Sequence, residues 1–332
     1  MAKIAFIARA DNSGLGTLSR EFARHLKPVK VLIVQNGVYQ VFPERYSDFP
    51  NRIVPSNKTM SQEDKDWLLD GADVLLTLET FYDWGIIKDC RARGVKTALY
   101  TMFEMTRAEL PMHPDLFICP SKLDVEYFKE YNHVFLPPPI ATDRIIWKKR
   151  ERANHFIHVA SHGGINLRKG TIDLLDAMKL VKSDIKMTIY TWRDFTCDDL
   201  RVEIKKVEFK NYWQLWREGD VLVYPQGANG IALPVIEAMS SGMAVLTTDA
   251  FPFNEYVPKD LLFKPERSYK TVIFTGLMEV EDYVMSPKNI AEKIDFIAGK
   301  DITEYSEYGR KWAEENSWDK LLPKYNEALN SL

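Results

Sequence analysis

Short apolar runs recur along the chain, and between them lie stretches whose apolar positions repeat at helical spacing. The first run, Lys3 to Arg9 (KIAFIAR), leads into a glycine-bearing loop, Ala10 to Gly16 (ADNSGLG), and then into a helical stretch from Thr17 to Leu26. That order reads as strand, glycine loop, helix. Further strands are predicted at Val29 to Val34, Asp73 to Leu78, Lys96 to Thr101, Asp115 to Cys119 and His133 to Leu136. Most alternate with predicted helices, at Gln62 to Asp70, Asp83 to Arg93 and Lys122 to Glu130. Alternation at this spacing points to a parallel sheet with crossover helices.

The triple proline Pro137 to Pro139 stops any regular element, and a second alternating series begins after Asn154. Strands are predicted at Phe156 to Ala160, Lys186 to Tyr190, Asp220 to Tyr224 and Ala244 to Thr248. One helix follows Gly170, with Leu174, Leu175, Met178 and Val181 on one face, and another runs from about Leu233 to Ser241. The tail from Thr303 to Leu332 reads as two helices joined near Ser317. The expected organisation is an α/β protein of two Rossmann-like lobes in series. A first domain covers 1–143, a linker 144–154, a second domain 155–316, and a last helix, 317–332, returns to the first lobe. Ligands of open parallel sheets bind beyond the carboxyl ends of strands, so two facing sheets would share a central cleft.

Composition narrows the class without choosing the chemistry. The 332 residues are 45% hydrophobic and 27% charged with a formal net charge of −3, which excludes disorder and gives no basic excess for a polyanion. The basic cluster Lys148, Lys149, Arg150 and Arg152 reads as a solvated connector. Apolar runs such as Ile4 to Ala8 fall far short of the roughly 18 residues that span a bilayer, and no leader is read at the start. Three widely spaced cysteines, Cys90, Cys119 and Cys197, suggest reduced thiols and a cytoplasmic location.

Three segments carry candidate chemistry. In Asp11 to Gly16, Gly14 and Gly16 allow backbone amides to approach an anion at a helix start. In Ser161 to Gly170 (SHGGINLRKG), Gly163 and Gly164 keep a loop close to a ligand, while Arg168 and Lys169 present two cations to a diphosphate. In Pro225 to Gly242 (PQGANGIALPVIEAMSSG), a glycine-bearing loop after a strand opens a helix carrying Glu237, a carboxylate able to accept both hydroxyls of a ribose. Trp192, Tyr212, Trp213 and Trp216 read as packing residues, and His113 and His162 as structural.

The run GIALPVIEAMSSGMAVLTTD resembles the nucleotide-sugar motif of the GT-B retaining glycosyltransferases of family four, close to EGFGLPxxEAMAxGxPVxxxD. Arg168-Lys169-Gly170 is similar to that family's basic pair, Thr101 to Pro111 (TMFEMTRAELP) to its MFExxRxP segment, Pro120-Ser121 to its PS after a strand, and Asn316-Ser317-Trp318 to the fSW before its last helix. The opening ADNSGLGTLSREFARHL resembles small bacteriophage-encoded members, whose cytoplasm would be the host's. The resemblance implies a GT-B fold and transfer of a sugar from a nucleoside diphosphate sugar, UDP-linked for preference, to an acceptor hydroxyl with retention. It implies that Glu237 holds the donor ribose, that Arg168 and Lys169 neutralise the diphosphate helped by amides near Ala232 and Leu233, and that Asn229, Gly230, Gly163 and Gly164 line the donor site. Gly14 and Gly16 would line the cleft from the first lobe, and Glu104 would face the sugar or acceptor.

Two positions depart from the family pattern. Asn229 stands where a Glu is usual, and Gly164 where an Arg is usual, with Arg168 able to supply that charge. No DxD follows a strand, since Asp64-Lys65-Asp66 lies in a polar helical segment and reads as solvated, so no metal or other cofactor is expected. The acceptor is open between a glycan or small molecule and a hydroxymethylated base of DNA, which would need a basic groove and base extrusion. A noncatalytic sugar-nucleotide-binding protein is the reading of a different class. A nicotinamide dehydrogenase fits poorly, because Gln35 and Asn36 stand where an acidic residue would end the second strand.

Overall fold

The structure, a computed structural model, describes all residues except 38, 56–58, 162–168, 207–211 and 274, and the side chain of Ser161. Contacts divide it into an N-terminal unit, residues 1–138, 272–278 and 318–332, and a C-terminal unit, residues 139–271 and 279–317.

The N-terminal unit is built on a parallel sheet of strands β1 (Ile4–Ala8), β2 (Lys30–Gln35), β3 (Asn51–Pro55), β4 (Val74–Leu78), β5 (Lys96–Tyr100), β6 (Leu116–Cys119) and β7 (His133–Phe135), in the order β3-β2-β1-β4-β5-β6-β7. Its helices are α1 (Gly14–Leu26), α2 (Gln62–Leu69), α3 (Ile86–Ala92) and α4 (Lys122–Phe128). The central strands β1 and β4 are buried at every position, which is why they read as unbroken apolar runs and not as alternating ones. Helix α1 is capped by Ser13, whose Oγ accepts from Gly16 N at 3.1 Å, and it buries Leu18, Phe22, Ala23 and Leu26.

The C-terminal unit repeats the plan with β8 (His155–Ser161), β9 (Lys186–Thr191), β10 (Val202–Lys206), β11 (Val221–Tyr224), β12 (Ala244–Thr248) and β13 (Leu262–Phe263), ordered β10-β9-β8-β11-β12-β13 and parallel throughout. Helices α5 (Thr171–Met178), α6 (Leu233–Ser240), α7 (Pro287–Ile297) and α8 (Thr303–Glu315) accompany it. An antiparallel hairpin, β14 (Arg267–Thr271) with β15 (Val280–Val284), stands outside both sheets. In each sheet the strand order reverses beside the first strand, giving a switch point between β1 and β4 and another between β8 and β11.

Helix α9 (Trp318–Asn330) belongs to the N-terminal unit. It buries Trp318, Leu321, Tyr325 and Leu329 at helical spacing, and Phe22 of α1 meets the rings of Trp318 at 5.0 Å and Tyr325 at 5.4 Å, both edge to face. Both parallel-sheet lobes are thus as the sequence led us to expect.

Several local features differ. Strands β3, β10 and the hairpin are not evident in the sequence, because they lie at sheet edges or outside the sheets and carry polar, part-exposed residues. Arg150 is not a solvated connector residue: it is buried in the C-terminal unit, where Nε donates to Gly219 O at 2.8 Å and Nη1 to Lys148 O at 2.8 Å. Lys65 is likewise buried, its ammonium 3.0 Å from Asp83 and 3.2 Å from Asp89, because α2 turns it inward. Cys90, Cys119 and Cys197 are free, and burial pushes the first two thiols up to about 12. Among the described residues no helix is long and apolar enough to cross a membrane.

Candidate functional site

In the C-terminal unit the site is organised by the ends of β8 and β11. Gly170 precedes α5 with φ +64, and a Cβ there would lie 2.0 Å from Pro225 O, so only glycine lets this turn sit against the end of β11. The turn delivers Lys169, whose ammonium donates to Tyr224 Oη at 2.9 Å and Gln226 Oε1 at 3.2 Å. It also lies 5.4 Å from the centroid of the Tyr224 ring. Tyr224 and Gln226 are fully buried, and their carbonyls are held by the hydroxyls of Thr247 and Thr248, each at 2.8 Å.

His158 ties the same strands together from below. Its Nδ1 donates to Val223 O at 2.8 Å and its Nε2 accepts from Thr171 Oγ1 at 2.9 Å, joining β8, β11 and the first residue of α5. Burial, with a smaller contribution from the charge of Lys169, lowers its pKa to about 4. The imidazole is neutral at pH 7 and serves as a strut.

The loop after β11 is fixed by two side chains. Asp282 of β15 accepts Ala228 N at 2.8 Å, and a Cβ on Gly227 would fall 1.8 Å from the same oxygen. Asn229 Oδ1 accepts Ile231 N at 3.2 Å and Ala232 N at 3.0 Å. Ala232, where the similar motif has Gly, adopts φ 60 and ψ 46 and opens α6. The Ala232 amide, expected to face a diphosphate, is therefore already engaged by Asn229. Leu233 and Pro234 form the first turn of α6, which is buried from Val235 to Ser240.

Glu237 lies on that buried stretch at 4% exposure. The Tyr212 hydroxyl, on a 3-10 turn from Tyr212 to Trp216, donates to Glu237 Oε2 at 2.5 Å. Burial, then the Glu237 carboxylate, then the Tyr224 phenol raise the Tyr212 pKa well above the ordinary phenol value. Tyr212 is thus a polar partner of the candidate site and not the packing residue that the sequence suggested. Trp216, 1% exposed, does pack. Tyr224, which meets Lys169, and Tyr212, which meets Glu237, are residues that only their place after a strand and near an aromatic cluster could have flagged. Gly230 lies between Asn229 and α6, while Arg168, Gly163, Gly164 and His162 lie outside the described residues.

The other candidates belong to the N-terminal unit. Gly14 is exposed as the first residue of α1. Gly16 is buried, and a Cβ would sit 2.2 Å from Asp11 O, so close packing of the loop on the helix already requires glycine there. Glu104 is buried, 3% exposed, on a 3-10 turn from Phe103 to Met105 after β5. The Asp11 carboxylate pairs with Arg9, at 2.8 Å from Nε and closer to Nη2. Asp64 and Asp66 are committed to the helix and its neighbours: Asp64 N donates to Ser61 Oγ at 3.1 Å, and Asp66 pairs with Arg93.

Residues 155–284 match the family described as Glycosyl transferases group 1. Among solved structures, the chain is similar to Anabaena HepE in complex with UDP, with 12% identity, TM-score 0.72, and 99% of this chain and 100% of that chain covered. It is also similar to the lipopolysaccharide outer core galactosyltransferase WaaB in its apo form, with 14% identity, TM-score 0.69 and 99% of both chains covered. Sucrose-phosphate synthase from Thermosynechococcus elongatus aligns with 12% identity and TM-score 0.68, covering 100% of this chain and 99% of that chain. At these identities the likeness is one of fold, the GT-B fold. Comparison with curated proteins finds no match.

Proposed function

We propose that the chain, a glycosyltransferase by its group 1 domain and GT-B fold, moves a sugar from UDP to an acceptor hydroxyl with retention of anomeric configuration. The observation that carries this reading is the pairing of Lys169 with Tyr224 and Gln226 and of Glu237 with Tyr212, within the stretch that matches the family. Such an arrangement offers an ammonium for a diphosphate and a carboxylate for a ribose at the switch point where nucleotides bind. UDP is favoured because HepE was solved with UDP and with UDP-glucose.

In this reading the two ribose hydroxyls donate to Glu237, displacing the phenol of Tyr212. The bond from the anomeric carbon to the diphosphate oxygen breaks, and the acceptor oxygen forms a new bond to that carbon on the same face. The departing phosphate takes the acceptor proton. Negative charge grows on the leaving oxygen, where Lys169, joined by Arg168 and the Leu233 amide, stabilises it. Asn229 keeps its side-chain amide for a sugar hydroxyl, since its oxygen caps the loop. No metal is invoked.

A thermal-shift panel of nucleoside diphosphates tests the reading. UDP at 100 times its Kd raises stability by about 2.7 kcal/mol. Glu237→Ala abolishes that shift, and Lys169→Met slows transfer about 100-fold or more. An undiminished shift in the Glu237 variant overturns the assignment.

A further inference from the structure

The hairpin of β14 and β15 belongs to neither sheet, and its first strand is exposed at Arg267, Ser268, Tyr269 and Lys270. It nevertheless turns one carboxylate, that of Asp282, onto the loop after β11. Oδ1 of Asp282 accepts Ala228 N at 2.8 Å and Tyr283 N at 3.0 Å, and Oδ2 accepts the Tyr269 hydroxyl at 3.0 Å. Tyr269 and Asp282 face each other in the register of the hairpin, so their bond fixes how the carboxylate is turned. Gly227 makes the approach possible: a Cβ there would fall 1.8 Å from Oδ1 and 3.3 Å from Tyr283 O.

From Ala228 the bonds run on to Lys169 in two steps. Gln226 Nε2 donates to Ala228 O at a long 3.4 Å, and Gln226 Oε1 accepts the Lys169 ammonium at 3.2 Å. Gln226 is fully buried and its backbone carbonyl is held by Thr248 Oγ1 at 2.8 Å, so its side chain is the adjustable member of the relay. With a carbonyl on one side and an ammonium on the other, the amide has a single favourable orientation. A movement of Ala228 away from Asp282 frees that amide to turn and loosens Lys169 on one side, with Tyr224 Oη still on the other. The bond from Tyr212 to Glu237 involves other segments of the unit.

We infer that Asp282 is a positioning residue for sugar transfer: it holds Ala228 from the outer side of the donor loop, so that Gln226 aims the Lys169 ammonium at the diphosphate. The role rests on the donor-site reading above, whereas the clamp on Ala228 stands on the geometry of the C-terminal unit. What the role uses is the acceptor oxygen at position 282 and not its charge. Groups that stabilise a leaving phosphate act only when held in place, and a supporting hydrogen bond such as this one does the holding.

Titration of the full chain with UDP, by calorimetry, and with uridine, by NMR, separates this role from a merely structural one, because uridine offers a ribose and no phosphate. Asp282→Ala weakens UDP about tenfold and leaves uridine unchanged. Asp282→Asn, which keeps an oxygen for Ala228 N and offers its Nδ2 to the Tyr269 oxygen, restores UDP to near the wild-type affinity. In the free protein, hydrogen exchange at the Ala228 amide speeds up about tenfold in Asp282→Ala. Should that variant fail to fold, Gly227→Ala, which pushes the carboxylate aside, gives the same split between UDP and uridine. Unchanged UDP affinity, a parallel loss of uridine, or no restoration by Asp282→Asn overturns the proposal. A wild-type chain that binds neither ligand, or a uridine affinity indifferent to Glu237→Ala, sinks the donor reading instead. Exchange at Ala228 then decides the clamp, and an unaltered rate overturns it.

Discussion

The half-buried Tyr212 donates its hydroxyl to the buried Glu237 carboxylate at 2.5 Å. A phenol there does for the carboxylate what a ribose hydroxyl would do in the proposed complex. Tyr212→Phe removes that donor. Leaving a buried carboxylate with one hydrogen bond fewer costs about 1–3 kcal/mol of stability. The same change tightens UDP severalfold, because the nucleotide no longer has to displace the phenol. Chemical denaturation and calorimetric titration of the one variant read both effects, and a loss of UDP affinity would show that Tyr212 helps hold the nucleotide.

Gly170→Ala damages the site without touching a charged group. Its backbone is left-handed, and the added Cβ would meet Pro225 O at 2.0 Å, a backbone atom that cannot swing aside. We expect a loss of about 2 kcal/mol or more, together with weaker UDP binding as Lys169 is carried away from Tyr224 and Gln226. Unchanged melting and unchanged affinity would mean that the turn relaxes freely.

Ala232→Gly is expected to be nearly silent. The alanine occupies φ 60, a conformation costing an L-residue about 1–2 kcal/mol, and glycine relieves it. Against this stand the loss of one buried methyl, about 0.8 kcal/mol, and the greater freedom of glycine in the unfolded chain. The opposing effects leave a net change within about 1 kcal/mol. A destabilisation of 2 kcal/mol or more in urea melts would contradict the balance.

His158 makes stability depend on pH. Its pKa is about 4 in the folded protein and about 6.5 when unfolded, so between these values the unfolded chain binds the proton and the folded chain does not. Stability from this group is complete above pH 6.5 and is lost as pH falls from 6.5 towards 4, by up to about 3 kcal/mol. His158→Gln removes that part of the slope. Comparing unfolding free energies at pH 4.5 and 7 in both proteins measures it, and equal slopes would refute the role.

Much of the fold was legible because the central strands are sandwiched between helices. Burial on both faces makes β1, β4 and β11 nearly continuous apolar runs, and their spacing announces parallel order. Edge strands escape that logic: β3, with a single buried residue, and β10, with none, carry too little apolar pattern to be seen. In the candidate site, Glu237 and Lys169 stood out through motif and charge. Tyr212, Tyr224 and Asp282 did not, since a hydrogen bond between residues 25 or 54 positions apart leaves no local trace. The buried Arg150 shows the converse error. Four basic residues in a row of polar ones look solvated, but backbone carbonyls of Gly219 and Lys148 give one of them a place inside.

The rings of Trp318 and Tyr325 that close over Phe22 come from the opposite end of the polypeptide. During translation, the first lobe must leave the ribosome with this aromatic seat vacant and wait while the whole second lobe is made. Folding order and synthesis order therefore part company, and nascent chains stalled before residue 318 should expose α1 to chaperones and proteases until the last helix arrives.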